Sequence, residues 1–170
     1  MTVDSFKWLP RSIAAFYQAI PVPEPEGIPW TPLAKPVEQC RIALITSSGL
    51  YLKDESASGG PFDVERERRE PFWGDPTYRV IPANVRQDQI AATHLHLNLE
   101  DVQQDMNIAL PIQRLRELVD AGEAGSLAES HYSFMGYQEQ GAPQWRDRYG
   151  PEVAQRMIEQ QVDAALLAPA

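Results

Sequence analysis

Short apolar runs closed by turn residues alternate along this sequence with segments of helical periodicity. That alternation predicts an α/β fold: a three-layer sandwich around a mostly parallel sheet. Three stretches carry the prediction. Residues 41–46 (RIALIT) form a brief run rich in β-branched side chains and end at once on Ser47, Ser48 and Gly49. Around residues 111–122, Pro111 suits a first helical position, Ile112, Leu115, Leu118 and Val119 share one face, and Gly122 is placed to stop the helix. Residues 162–167 (VDAALL) read as a final buried strand, fed by a helix that Pro151 opens.

The other elements follow in chain order. Phe6, Leu9, Ile13, Phe16, Tyr17 and Ile20 recur at helical spacing, with Pro10 near the start of that helix or dividing it. Pro21, Pro23, Pro25, Pro29, Pro32 and Pro36 exclude a regular helix or a central strand and leave an extended arm, packed down by Trp30. Residues 1–39 are therefore an N-terminal helix and Pro-rich arm, and residues 40–170 the α/β domain. Residues 51–76 are charged and hold Gly59, Gly60, Pro61, Pro71, Gly74 and Pro76, which reads as a long loop with a solvated charge run at 63–70. Residues 78–81 and 89–97 (QIAATHLHL) are expected as strands, and Asn98 as the cap of a helix carrying Leu99, Val102 and Met106. A strand at 131–135 ends on Gly136, and Val153, Met157 and Ile158 mark one side of the last helix.

In an open sheet of this kind a ligand site lies beyond the carboxyl ends of the strands. Its expected walls are residues 46–49, 94–98 and 135–137. A chain that stops two or three residues past a central strand lacks the next crossover helix, so a C-terminal crossover is expected to be missing from these 170 residues.

Length and charge narrow the function. One domain with its own core fits 170 residues. A formal net charge of -9 opposes binding to phosphate backbones, so nucleic acid is not an expected partner. The sequence has no apolar run of about 18 residues and no basic-then-apolar N-terminus, so the expectation is a cytoplasmic protein with no membrane partner. The single cysteine, Cys40, has no partner for a disulfide, which agrees with a reducing compartment. It lies away from any strand's carboxyl end and is read as a packed, inert thiol.

Several groups have chemistry to offer. Thr46, Ser47, Ser48 and Gly49 bring small hydroxyl residues and a glycine to a strand end, where backbone N–H groups can approach an anion. The competing reading is an ordinary turn, and the phosphate-loop pattern is absent. His94 and His96 would share one face of a strand, with Asp101 and Asp105 following. A third and fourth ligand have no usable spacing, so no metal is assigned, and His94 is taken as a polar group facing substrate. His131, before a strand, is either a hydrogen-bonded structural residue or part of the pocket. Arg114 and Arg116 read as a solvated helix face with Glu117 and Asp120.

Taken in order, residues 41–53 (RIALITSSGLYLK), 75–82 (DPTYRVIP), Thr93-His94, 104–107 (QDMN), 110–118 (LPIQRLREL), 122–125 (GEAG), 131–136 (HYSFMG) and 162–169 (VDAALLAP) resemble one family. They are similar to the selenoprotein B subunits of D-proline reductase and of the glycine, sarcosine and betaine reductases. The resemblance implies a subunit of an oxidoreductase that cleaves a C–N bond reductively. It implies a selenocysteine or cysteine directly after Ala170, since a selenocysteine codon is ordinarily read as a stop and this chain would be truncated there. It implies a pyruvoyl-bearing partner subunit and a small amino acid or N-methylated amine as substrate. Within these 170 residues it implies no cofactor, and it assigns His94 and Asp105 to catalysis. Thr46, Ser47, Ser48, Gly49, Asn107, His131 and Gly136 fall to substrate binding. A non-catalytic α/β binding or scaffold subunit of such a complex is the alternative.

Overall fold

The computed structural model describes residues 5–19, 27, 31–54, 56, 59–70, 72–95, 97–139 and 141–169. The chain divides into two units, Met1–Pro32 and Leu33–Ala170. In the first, a 3-10 turn at Ser5–Trp8 precedes helix α1 (Arg11–Ala19). The division falls at Leu9 and Pro10, as the proline predicts: Pro10 offers no N–H but its carbonyl accepts from Ala14 N–H at 2.9 Å. The proline arm at 20–26 and 28–30, Trp30 included, lies outside the described residues.

The second unit runs β1 (Arg41–Thr46), β2 (Leu50–Leu52), α2 (Val64–Arg69), β3 (Arg79–Pro82), β4 (Ile90–Ala92), α3 (Leu99–Gln104), α4 (Ile112–Asp120), β5 (Ser126–Leu127), β6 (Ser130–Ser133), α5 (Gly150–Glu159) and β7 (Ala164–Ala168). The main sheet is mostly parallel, as expected. Strand β1 lies parallel to β5 along its first half, to β6 along its second, and to β7 on its other edge. Strand β3 closes the far side antiparallel to β6. The β1–β7 register runs from Ile42 opposite Ala164 to Thr46 opposite Ala168.

Alternation along β1 sorts the core into two layers. Ile42 and Leu44 point to one face, where Ile81, Val102, Met106, Leu110, Ile112 and Leu115 pack. Ala43 points to the other, where Tyr132, Phe134, Val153 and Met157 pack. Helices α3 and α4 therefore cover one face and α5 the other. This is the three-layer sandwich the sequence predicts.

Three expectations need correction. The charge run at 63–70 is a helix. Asp63 caps it by accepting from Arg66 N–H at 2.9 Å, and Arg66–Glu70 and Arg68–Glu65 pair along it. Local capping and i,i+3/i,i+4 pairing hold it without a long apolar face. The strand expected at 89–97 shrinks to β4, which pairs with β2 in a separate antiparallel ribbon. Its ladder finishes where Thr93 N–H meets Gly49 carbonyl at 2.9 Å, so His94 follows the strand and does not sit on it. Strand β7 stands where the sequence puts it but is an edge and not a buried centre. No strand among the described residues pairs with its outer side. Leu166 and Leu167 are 48% and 66% exposed.

Candidate functional site

A cavity of about 340 Å³ opens at the carboxyl ends of β1, β6 and β7, where the sheet topology places a site. Ile45, Thr46 and Ser47 form its floor. The segment after β6 supplies Phe134, Met135, Gly136 and Gln138, the approach to α5 supplies Ala142 and Trp145, and β7 supplies Leu167, Ala168 and Pro169.

The floor is fixed by hydrogen bonds that consume most of its polar groups. Phe134 N–H donates to the Thr46 carbonyl at 2.8 Å, and Gly49 N–H donates to the Phe134 carbonyl at 2.9 Å. Thr46 Oγ1 and Ser48 Oγ lie 2.6 Å apart, and Ser48 N–H donates to Thr46 Oγ1. Ser133 Oγ accepts from Leu50 N–H at 2.7 Å. Gly49 has φ +64°, and a Cβ there would collide with the Thr93 carbonyl oxygen, so glycine is required. With the N–H groups of Ser48 and Gly49 committed, the cradle expected over 46–49 narrows to Thr46 and Ser47, the members that line the cavity.

The opposite wall hangs on a buried ion pair. Gln138 Nε2 donates to the Met135 carbonyl and to the Asp75 carbonyl, each at 3.1 Å. The Asp75 carboxylate accepts from Asp63 N–H, Thr77 N–H and Thr77 Oγ1–H, and lies 4.0 Å from Arg79. Arg79 donates to the carbonyls of Gly60, Pro61 and Tyr78 and to Thr77 Oγ1, and its guanidinium stacks 4.0 Å from the Phe62 ring. Burial pushes the Arg79 pKa down, and Asp75 opposes that shift. The pair thus gathers residues 60–79 and hands the Asp75 carbonyl to a residue of the cavity wall.

Trp145 begins a π-helical turn, Trp145–Tyr149, ahead of α5, and Gly150 N–H donates to its carbonyl. A proline clashes with the carbonyl four residues before it, and widening the turn relieves the clash. Pro151 follows Gly150 at that point. The indole meets Phe134 edge to face, with centroids 5.8 Å apart.

The candidate residues divide. Thr46, Ser47 and Gly136 line the cavity. Ser48 and Gly49 support its floor from behind. Asp105 caps the 3-10 turn Met106–Ile108 by accepting from Asn107 N–H at 2.9 Å, which holds its carboxyl below the usual range. Asn107 Oδ1 in turn accepts from Gln113 N–H at 3.0 Å in the first turn of α4. Neither Asp105 nor Asn107 lines the cavity, and the half-buried His94 does not either. His96 lies outside the described residues. His131 is fully buried, and its Nδ1 accepts from Leu44 N–H at 3.0 Å. Cys40 is buried with its Sγ against the Pro36 carbonyl at 3.3 Å, the packed thiol the sequence predicts. Sequence reasoning missed Phe134, Gln138 and Trp145 as wall residues; the available signal was Gly150-Pro151 a few positions past an isolated tryptophan.

Sheet, flanking layers and cavity define an α/β sandwich of the kind that carries its site beyond the strand ends. The chain belongs to the glycine/sarcosine/betaine reductase selenoprotein B family, whose model matches residues 12–170. It is 31% identical over 140 residues to the D-proline reductase subunit gamma of Acetoanaerobium sticklandii, covering 81% of this chain and 52% of that one. It is 26% identical over 153 residues to the glycine reductase complex component B subunit gamma of Carboxydothermus hydrogenoformans, covering 89% of this chain and 33% of that one. The chain thus spans about half, or a third, of the length of these relatives. Both are named as gamma subunits, components of multi-subunit reductases. No solved structure matches. Among the described residues, no helix is long and apolar enough to cross a membrane.

Proposed function

We propose that this chain is the selenoprotein B-type portion of an amino-acid reductase that cleaves the C–N bond of a small amino acid or N-methylated amine, and that the strand-end cavity receives that substrate. The observation that carries the reading is the course of β7. Leu167, Ala168 and Pro169 line the cavity, which supports a nucleophile past Ala170 acting at its rim. A selenocysteine or cysteine acting there would meet Phe134, Met135 and Trp145, a polarisable surface that suits a soft nucleophile. Thr46 and Ser47 form the polar part of the cavity floor on this reading. A pyruvoyl-bearing partner subunit fits the relatives' naming as subunits, and a cytoplasmic setting fits a chain whose single cysteine, Cys40, is buried outside any disulfide.

The test is the intact mass and selenium content of the protein isolated from its native host. A mass above 19.1 kDa with bound selenium supports the nucleophile past Ala170. A mass of 19.1 kDa without selenium or an added cysteine overturns it and favours a non-catalytic scaffold subunit.

A further inference from the structure

A second apolar cavity of about 270 Å³ lies beside the first, between α5 and the sheet. Val153, Ala154 and Met157 of α5 line it, together with Ile45, Phe134 and Trp145, and those last three also line the strand-end cavity. The two spaces therefore share one wall. Ile45 is held in β1, and Phe134 is buried directly after β6. Trp145 differs: it is 40% exposed and sits on the π-helical turn, not on a strand.

That turn is held open by its own sequence. Gly150 is backed so closely by the Trp145 carbonyl that a Cβ at 150 would stand 2.9 Å from the oxygen. Ala142, another residue of the cavity wall, has φ +40°, a conformation that costs an L-residue energy. Two unusual backbone sites thus flank the tryptophan on the segment that carries it. The one charged residue on the second cavity, Arg146, is engaged by Asp147 through two hydrogen bonds at 2.7 and 2.8 Å. The space behind the indole therefore offers apolar surface and no competing charge.

We propose that Trp145 is a specificity-determining partition. It closes the strand-end cavity against its apolar neighbour and sets the largest aliphatic or aromatic substituent a bound amine can carry. Removing the indole joins the two spaces into one longer apolar pocket, which admits bulkier substituents. The inference rests on the reading of the strand-end cavity as the ligand site, and it adds the residue that limits ligand size there.

The test is calorimetric titration of the full-length protein, wild type and Trp145→Ala, with N-methylglycine, N-butylglycine and N-benzylglycine. Each apolar group that gains a pocket changes affinity by about tenfold or more. The N-benzylglycine to N-methylglycine affinity ratio is expected to rise by at least that factor in Trp145→Ala. Trp145→Phe, which keeps an aromatic wall, is expected to fall between wild type and Trp145→Ala. Gly150→Ala keeps the indole but displaces its carbonyl, and is expected to shift the ratio in the same direction. Ligands that bind with an unchanged ratio in all three variants overturn the partition while leaving the cavity as the site. Absence of binding by wild type and variants alike overturns the cavity as the site, and the partition with it.

Discussion

Leu44 N–H donates to His131 Nδ1 at 3.0 Å, at the point where the strand beside β1 is broken between β5 and β6. Residues 128–129 leave the regular ladder there, and the imidazole takes the place of a backbone carbonyl as the acceptor for β1. Accepting at Nδ1 places the proton on Nε2, so the ring is neutral. Nε2 has no hydrogen-bond partner among the described residues. Burial, with a smaller contribution from Arg116, lowers the His131 pKa to about 4.

This makes stability depend on pH in a defined window. The unfolded histidine takes up a proton near 6.5 and the folded one near 4, so the unfolded chain binds more protons between those values. Stability is full above pH 6.5, falls as pH drops toward 4, and levels off below. The loss amounts to about 3 kcal/mol, from about 1.4 kcal/mol per pKa unit. Urea unfolding at pH 7.0, 5.5 and 4.5 measures it. The depressed carboxylates of Asp105 and Asp163 titrate below 3.8 and leave this window alone. His131→Gln should flatten the decline. A wild-type curve already flat between pH 4.5 and 6.5 would refute a neutral buried His131.

Much of this was legible in the sequence, for local reasons. Residues 41–46 are apolar at every position that matters, so β1 is readable before its neighbours are known. Pro111 and Gly122 bracket α4 for the same reason. The misses are tertiary. Helix α2 has little apolar periodicity and stands on its cap and charge pairs. Whether Leu166 and Leu167 are covered depends on what lies beside β7, which no local pattern encodes. Trp145 becomes a wall only through the π-helical turn at Gly150-Pro151. His131 was placed between two roles, and the structure buries it apart from the residues that line the cavity.

The network at Asp105 and Asn107 predicts a structural role that can be separated from ligand binding. Asn107 Oδ1 satisfies Gln113 N–H, one of the unpaired donors at the start of α4, and Asn107 Nδ2 donates to both Asp105 and Gln113 Oε1. Asn107→Ala should cost about 1 kcal/mol, the usual value of a lost cap. Its affinity for the amine probes should stay within about twofold of wild type, because neither Asn107 nor its partners Asp105 and Gln113 line the cavity. A large loss of affinity with unchanged thermal stability would return Asn107 to the binding site.

Gly49 is a tight backbone position behind the cavity floor. Its positive φ and its contact with the Thr93 carbonyl act together, so Gly49→Ala strains the turn and pushes β4 away from β2. The expected cost is about 2 kcal/mol or more, read as a lower urea midpoint. A midpoint within error of wild type would show that the turn relaxes at no cost.

Arg79 and Asp75 give the sharpest contrast between removing one charge and removing both. Each side chain is under a tenth exposed, and Arg79 donates to three carbonyls and to Thr77 Oγ1. Arg79→Met strips those carbonyls of their donors and leaves the Asp75 carboxylate buried without its cation, a loss of about 3 kcal/mol. Adding Asp75→Asn removes the stranded charge, and the double variant should recover part of that loss. The amide oxygen keeps an acceptor for Thr77 N–H, but the NH2 group cannot accept from Asp63 N–H, so the recovery stays partial. The single and double variants, with Asp75→Asn alone, form a thermodynamic cycle measured by urea unfolding. A coupling near zero would mean that the two side chains act independently, and that Arg79 holds the loop through its carbonyl contacts without help from the carboxylate.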